Sequence, residues 1–192
     1  GGWQAGSSVT VWALTTHGHR ALTGSRARRR PHELSTGFLA HQLAVTETST
    51  IITETVRTMG GGDLQLDTEP NCWRTYLGAG GERLTLRPDL AATITSPDYQ
   101  DRYYLEIDRA TENPARVIVA YHDTGADQQR TGVFPLVVWV VPHTRRRRRL
   151  QEAIARDTAL NPRLFRVITP DQLPGLIHDG PDALPPPAVP TT

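Results

Sequence analysis

The stretch LTLRPDLAATITSPDYQDRYYLEID, residues 84–108, decides the fold. Two segments with alternating apolar and polar side chains, Leu84–Ile94 and Arg102–Asp108, flank the turn-rich connection TSPDYQD. This pattern predicts two antiparallel strands joined as a β-hairpin. A turn centred near Asp98 and Tyr99 would place Asp89 directly opposite Asp108.

The sequence on either side predicts further helices and strands. Apolar residues spaced by seven from Phe38 to Met59 predict a long helix over Ser35–Met59, which Gly60-Gly61-Gly62 would end. The apolar run Val133–Val141 predicts a central strand covered on both faces. The other predicted elements are strands at 9–15, 63–66, 73–77 and 164–168 and helices at 16–22, 111–123 and 146–158. For 111–123 the run Val117-Ile118-Val119 favours a strand as the alternative.

This order of elements predicts an α/β fold with a mixed β-sheet flanked by helices, because a hairpin is followed by a helical crossover into a buried strand. We expect residues 1–31 to be the end of a winged helix with a basic linker. Residues 32–173 would form the α/β domain. The Pro-rich tail, 174–192, would be extended or disordered.

Composition narrows the class of protein. Hydrophobic residues make up 38% of the chain, which is typical of a globular protein. No run approaches the roughly 18 apolar residues of a membrane span, and no signal peptide is recognisable. The single cysteine, Cys72, excludes an internal disulfide, and we expect a cytoplasmic protein. The chain opens at Gly1 without an initiator methionine, as a fragment of a longer protein would.

Charge is segregated along the chain although its net value is only +1. All 21 basic residues are arginine, and with the abundant Ala, Gly and Pro this indicates a high-GC bacterial genome. Arginines cluster at residues 26–30 and at Arg145, Arg146, Arg147, Arg148 and Arg149, whereas acids concentrate between Asp89 and Asp127. Basic rims around an acidic centre are typical of a metal-dependent enzyme acting on a polyanion. The alternative is two solvated charge runs.

Three carboxylates, Asp89, Glu106 and Asp108, form the candidate metal site. Glu106 and Asp108 are two residues apart on a strand and therefore share a face, which the hairpin would bring to Asp89. Like charges so close repel unless a cation intervenes, and oxygen ligands suit Mg²⁺ or Mn²⁺. In the alternative interpretation, these acids pair with arginines such as Arg87, Arg109 and Arg116.

Pro88-Asp89 followed by Glu106-Ile107-Asp108 resembles the Pro-Asp…(Asp/Glu)-x-Lys signature of restriction-endonuclease-like nucleases. More narrowly, segments over about residues 9–170 resemble the replication-relaxation family of actinobacterial plasmids and integrative elements. These segments are HQLAV at 41–45, LRPD at 86–89, YLEIDRATE at 104–112, FP at 134–135 and WVVP at 139–142. The resemblance implies a nuclease-like core after a winged helix, and a role in handling DNA.

One departure from the nuclease signature bears on catalysis. Asp108 stands where the signature has its lysine, and Arg116 is the nearest cation on the following predicted helix. Arginine stays charged, so Arg116 could hold a phosphate or stabilise transition-state charge but could not act as a base. Arg109 and the run Arg145–Arg149 are the other predicted nucleic-acid contacts.

The resulting hypothesis is a DNA-binding or DNA-processing protein of plasmid replication or conjugative transfer, with Mg²⁺-dependent nicking or cleavage as an open activity. One alternative is a non-catalytic DNA-binding protein on a degenerate nuclease scaffold. Another is a protein-interaction module that recruits replication or transfer proteins, and a homodimer is also envisaged. Among other residues, we expect His41 to be a hydrogen-bonded core histidine rather than part of the acidic site, and Glu69 to be a surface residue rather than a fourth ligand.

Overall fold

The structure is a computed structural model that describes residues 15–24, 36–60, 62–77, 81–108, 120–121, 134–158 and 160–187. The chain divides into two compact units, Gly1–Leu39 and Ala40–Thr192. The predicted strand at 9–15, apart from its last residue, and the arginines at 26–30 lie outside the described residues. So does most of the predicted helix at 111–123, of which Ala120 and Tyr121 are described as helical.

Helix α1, Thr16–Thr23, is the main described element of the first unit. The Thr15 hydroxyl accepts a hydrogen bond of 3.2 Å from the backbone N–H of Gly18 and so caps the helix start. The helix ends at Gly24, whose φ of 64° is left-handed. The helix predicted at 16–22 is therefore confirmed, whereas the winged helix to which it was assigned stays a prediction.

Helix α2, Thr36–Thr58, confirms the long predicted helix, and its first residues lie in the first unit. Six of its Ser and Thr hydroxyls donate to the carbonyl four residues earlier, as Thr48 does to Ala44 at 2.8 Å. These bonds satisfy the hydroxyls within the helix even though β-branched residues lower its intrinsic propensity. Val45, Ile52 and Val56 are buried, so packing against the sheet holds the helix in place.

Within the described residues, the second unit also contains seven strands and two α-helices, in addition to the helical residues Ala120 and Tyr121. The strands are β1 (Asp63–Thr68), β2 (Arg74–Leu77), β3 (Arg83–Leu86), β4 (Leu90–Thr95), β5 (Gln100–Ile107), β6 (Leu136–Val140) and β7 (Phe165–Ile168). The helices are α3 (Thr144–Arg156) and α4 (Leu173–Asp179). The sheet order is β1-β4-β5-β6-β7, and β2 and β3 form a separate two-stranded ribbon. β1, β4 and β5 pair antiparallel, whereas β5, β6 and β7 pair parallel, so the predicted mixed α/β sheet is confirmed.

Hydrophobic clusters cover both faces of this sheet. On one face, α2 and α4 contribute Ile52 and Leu176 to a cluster that also contains Leu105 of β5. On the other face, Leu150 of α3 and Tyr104 of β5 belong to a second cluster. Consecutive residues of β5 therefore enter opposite clusters, as the alternation of side chains along a strand requires.

The hairpin prediction is partly wrong. The segment 84–94 is not one strand, because the chain breaks between β3 and β4 at Arg87-Pro88-Asp89. Pro88 has no N–H for a strand ladder, and its carbonyl instead accepts a bond of 2.9 Å from the buried thiol of Cys72. Burial raises the pKa of Cys72 to about 11, so the sulfur keeps its proton for this bond at neutral pH.

The strand register also differs from the prediction. The turn is tighter than expected, with the Ser96 amide bonded to the Tyr99 carbonyl at 2.9 Å and Thr95 opposite Gln100. Leu90 consequently pairs with Leu105. Continued by one step, this register brings Asp89 level with Glu106 and leaves Asp108 two residues further along the chain.

The segment after residue 173 is helical over Leu173–Asp179 and Pro181–Ala183, so the expectation of an extended or disordered tail is wrong for these residues. Pro174 stands in the first turn of α4, where its missing N–H leaves no helical bond unmade. Leu173, Leu176 and Ile177 are fully buried in the first cluster. The burial of three apolar side chains at helical spacing thus stabilises a helix here, although the segment is rich in proline.

Candidate functional site

The three predicted carboxylates lie at one edge of the sheet. Glu106 and Asp108 stand at the carboxyl end of β5, and Asp89 stands just before the antiparallel β4. Because β5 and β6 are parallel, the loop from β6 into α3 emerges at the same edge. In α/β sheets this carboxyl edge is where ligands usually bind.

Both carboxylate oxygens of Asp89 take part in hydrogen bonds. Its Oδ2 accepts the backbone N–H of Ile107 at 2.7 Å, and its Oδ1 lies 3.0 Å from Nε2 of His41. The side chain is only 14% exposed. Burial raises the pKa of Asp89 above its ordinary value, and the Ile107 amide and His41 partly oppose this rise. Asp89 therefore ties α2 to the end of β5.

Glu106 accepts a hydrogen bond of 2.5 Å from the hydroxyl of Tyr121. Tyr121 is fully buried, and its ring packs near that of Tyr104 with centroids 6.0 Å apart. Burial raises the pKa of Tyr121 well above its ordinary value, and the charge of Glu106 adds to the rise. The tyrosine consequently stays protonated and donates to the carboxylate.

Asp108 forms a two-pronged ion pair with Arg146 of α3. Nε of Arg146 lies 2.5 Å from Oδ2, and the Nη2 atom lies 3.2 Å from Oδ1. The Asp108 side chain is 5% exposed and that of Arg146 is 19% exposed. Such bidentate pairs between arginine and a carboxylate are strong and directional, and this one fastens the start of α3 to the end of β5.

The arrangement does not match the expected three-carboxylate metal site. Within the described ranges, no three or more His, Cys, Asp or Glu side chains are grouped as ligands for one metal ion. Asp108 presents both oxygens to a guanidinium, whose positive charge would repel a cation. The residues therefore do not fit Mg²⁺ or Mn²⁺ in the expected manner, although Asp89 and Glu106 are brought to neighbouring register positions. Metal binding by those two residues stays a prediction.

The arginine run divides between two faces of α3. Arg146 and Arg147 point toward the fold, where Arg146 pairs with Asp108 and Nη1 of Arg147 donates to Oε1 of Gln172 at 2.5 Å. Arg145, Arg148 and Arg149 are exposed. Their i, i+3, i+4 spacing puts these three on one helix face. Arg146 contacts the carboxylate of Asp108, and its predicted contact with nucleic acid stays a prediction.

Several other predictions can be compared with the structure. His41 is hydrogen-bonded, as expected, and its side chain is 28% exposed. Its partner is Asp89, so His41 lies at the acidic site, which was the alternative to a core position. Glu69 is exposed, as predicted, and accepts a bond of 3.2 Å from the indole of Trp73. The predicted phosphate contacts Arg109 and Arg116 lie outside the described residues.

Sequence reasoning missed Tyr121 as a partner of Glu106 and Arg146 as the partner of Asp108. The second was detectable in principle. A helix that directly follows a strand parallel to β5 begins at the same sheet edge as Asp108, so an arginine in its first turn lies near that carboxylate. The Tyr121 contact had no comparable local signal.

Comparison with known proteins identifies the family. The family model described as replication-relaxation matches residues 1–137, well over half of the 192-residue chain. The chain belongs to the replication-relaxation family. The match stops near the start of β6, short of residue 170, to which the resemblance was expected to extend.

Membership of the replication-relaxation family indicates a role in the replication or relaxation of plasmids or other mobile elements, and thus an interaction with DNA. No curated protein and no solved structure matched the chain. Among the described helices, none combines the length and apolar character required to cross a bilayer.

Proposed function

We propose that this replication-relaxation protein binds mobile-element DNA through α3, on a nuclease-like scaffold that does not cleave. The observation that carries the proposal is the pairing of Asp108 with Arg146 beside the exposed arginines of α3. The acid that occupies the signature's lysine position holds the DNA-binding helix in place, so it serves binding instead of hydrolysis.

The charge of α3 supports DNA binding. Its outer face carries Arg145, Arg148, Arg149 and Arg156 against the single acid Glu152. The first turn contains no acidic residue, although the positive end of a helix dipole favours one. Clustered arginines there repel one another and the dipole, and a bound polyanion relieves both repulsions. The Arg148–Glu152 and Arg156–Glu152 contacts are long, 3.7 and 3.6 Å, and exposed, so phosphates could replace them at little energetic cost.

The sheet supports the nuclease-like part of the proposal. Three antiparallel strands, β1, β4 and β5, are followed in the sheet by the parallel strands β6 and β7, with Pro88-Asp89 before β4 and Glu106-Ile107-Asp108 at the end of β5. The two parts of the signature thus lie on adjacent strands of one sheet, which supports a nuclease-like scaffold. The aspartate in the lysine position, which Arg146 neutralises, makes the scaffold resemble a nuclease without its usual general base.

The test compares DNA binding by the wild type with a triple variant, Arg145→Gln, Arg148→Gln and Arg149→Gln. Fluorescence anisotropy with a labelled duplex is recorded over a range of salt concentrations. We expect the slope of log affinity against log salt to become shallower by about 2 to 3, since each phosphate contact contributes about 0.9. A matched triple control, Arg57→Gln, Arg83→Gln and Arg163→Gln, removes equal exposed charge elsewhere and should bind like the wild type. An equal loss of DNA affinity in the two triple variants would refute a specific role of α3.

A second candidate, metal-dependent nicking, is favoured by the register that brings Asp89 level with Glu106. Bound there, Mg²⁺ would supply charge neutralisation and an activated water, while Arg109 and Arg116 would hold phosphate. Supercoiled plasmid incubated with Mg²⁺ or Mn²⁺ distinguishes the two candidates. We expect no nicked product from the wild type. Nicking that disappears in Asp89→Asn and Glu106→Gln, but persists in the α3 triple variant at high protein concentration, would establish the second candidate.

A further inference from the structure

Side chains of three neighbouring strands form two rows on the sheet face that carries Tyr104. The strand register arranges them as Gln65, Thr93 and Arg102 in one row and as Asp67, Ala91 and Tyr104 in the next. Ala91 has only a methyl group between two longer side chains. The side chains at both ends of this row therefore rise above the middle, and the sheet face has a depression over β1, β4 and β5.

A cavity of about 410 Å³ lies over this depression, which we call the β1–β4–β5 groove. Besides the two rows, Arg74 of β2, Gln100 of β5 and Pro135 line it. The volume falls within the range of small-ligand sites, roughly 300–1,000 Å³. On this face α3 packs against β7, so the groove and the outer face of α3 are separate surfaces of the same unit.

The groove carries two guanidinium groups and one carboxylate. Arg102 is exposed, and its Nε and Nη2 donate to Oε1 of Gln100 at 2.9 and 2.5 Å. These bonds orient the guanidinium while using two of its five donors. Nη1 of Arg74 donates to the carbonyls of Asn71 and Trp73 at 2.8 and 3.0 Å. These neutral partners position both guanidinium groups without cancelling their charge, which suits the recognition of an anion.

Asp67 balances this charge only in part. Its Oδ2 lies 3.7 Å from Nη2 of Arg74, which is a long contact, and it also accepts a bond of 3.2 Å from the amide of Gln65. One positive charge is left in excess, and the amide and hydroxyl groups of the rows can both donate and accept. A phosphate that carries a polar ring with hydrogen-bonding edges matches this combination.

We propose that the β1–β4–β5 groove binds one nucleotide of a single DNA strand, with its phosphate at Arg74 and Arg102. This inference rests on the proposed DNA-binding function and adds a second contact surface to it. A cavity of this size admits one unpaired nucleotide, whereas a base in a duplex would first have to leave its stack. Cationic grooves that follow one strand are the usual means of binding single-stranded DNA.

The test uses the full chain and a labelled oligothymidylate of about 12 nucleotides, within the usual length of single-strand sites. Arg102→Gln should weaken binding about tenfold, since it removes one charge-assisted phosphate contact, and should lower the salt slope by about 0.7. Arg57→Gln, an equal charge change on α2 and hence on the opposite face, should have no effect. Ala91→Val fills the groove without altering charge and should also weaken binding, with unfolding curves to verify that the variant folds.

The possible outcomes separate this inference from the function on which it rests. Wild-type affinity in both Arg102→Gln and Ala91→Val, with a loss only in the α3 triple variant, would overturn the groove and leave DNA binding by α3 intact. Competition by thymidine monophosphate at the same concentration as the oligomer would show a free-nucleotide site and overturn the strand assignment. Binding of neither oligomer nor duplex would overturn both proposals.

Discussion

Replacing either partner of the Asp108–Arg146 ion pair should lower the free energy of unfolding. Removing one member of a buried pair typically costs about 3–5 kcal/mol, because the other charge is left without its partner in a poorly hydrated place. We expect the lower end for Asp108→Leu, since Arg146 is 19% exposed and regains some hydration. The upper end is expected for Arg146→Met, since Asp108 is 5% exposed.

The double variant Asp108→Leu/Arg146→Met should recover much of the loss, because two apolar side chains leave no unpaired charge. Urea unfolding of the four proteins yields the coupling energy, which must exceed about 5 kcal/mol if the double variant is to be less destabilised than either single variant. A loss of 3 kcal/mol corresponds to a fall in Tm of roughly 6–12 °C for a chain of this length.

The exposed pair Arg148–Glu152 is the control. Its atoms are 3.7 Å apart and Arg148 is 77% exposed, so Glu152→Ala should change the free energy of unfolding by less than about 0.5 kcal/mol. Additive effects of Asp108→Leu and Arg146→Met, with a coupling below about 0.5 kcal/mol, would refute the claim that this pair fastens α3 to β5.

Two further predictions concern Asp89 and α4. Because the pKa of Asp89 in the fold lies above its ordinary value of 3.8, the folded protein holds this proton more tightly than the unfolded chain does. Its contribution to stability should therefore be greatest at acid pH and decline as the pH rises through and above the ordinary value of 3.8, so in denaturant titrations the stability of the wild type relative to Asp89→Asn should fall in that direction. A relative stability that instead rises with pH would contradict the pKa shift. Leu176→Ala should cost about 3 kcal/mol in urea unfolding, since the side chain is fully buried, whereas a cost under about 0.5 kcal/mol would mean that α4 is not part of the core.

Periodicity alone predicted most elements of the second unit. The strands β1, β2, β6 and β7 and the helix α3 lie within a few residues of their predicted positions, because each buries a regular stripe or a continuous apolar run. The break at Pro88 and the helix α4 were missed. In both places a proline was present, and its effect depended on whether neighbouring groups satisfied the backbone or buried the adjacent side chains.

The candidate site was predictable in position but not in chemistry. The motif placed Asp89, Glu106 and Asp108 at one edge, and the sheet does bring Asp89 level with Glu106. The partners His41, Tyr121 and Arg146 come from segments 48, 15 and 38 residues away in the chain. Hydrogen bonds over such separations depend on how helices pack on the sheet, which short motifs do not encode.

Sequence by itself determined the mixed α/β class, the long helix, the buried strand β6 and the family, since these follow from local patterns and motif order. Tertiary structure alone decided which arginines of α3 face solvent and which acid each interior side chain meets. The physical reason is that a charge is defined by its residue, whereas its energy is defined by its burial and its partner. Only the placement of α3 beside the end of β5 shows that Asp108 faces a guanidinium, whereas Arg145, Arg148 and Arg149 are exposed to solvent.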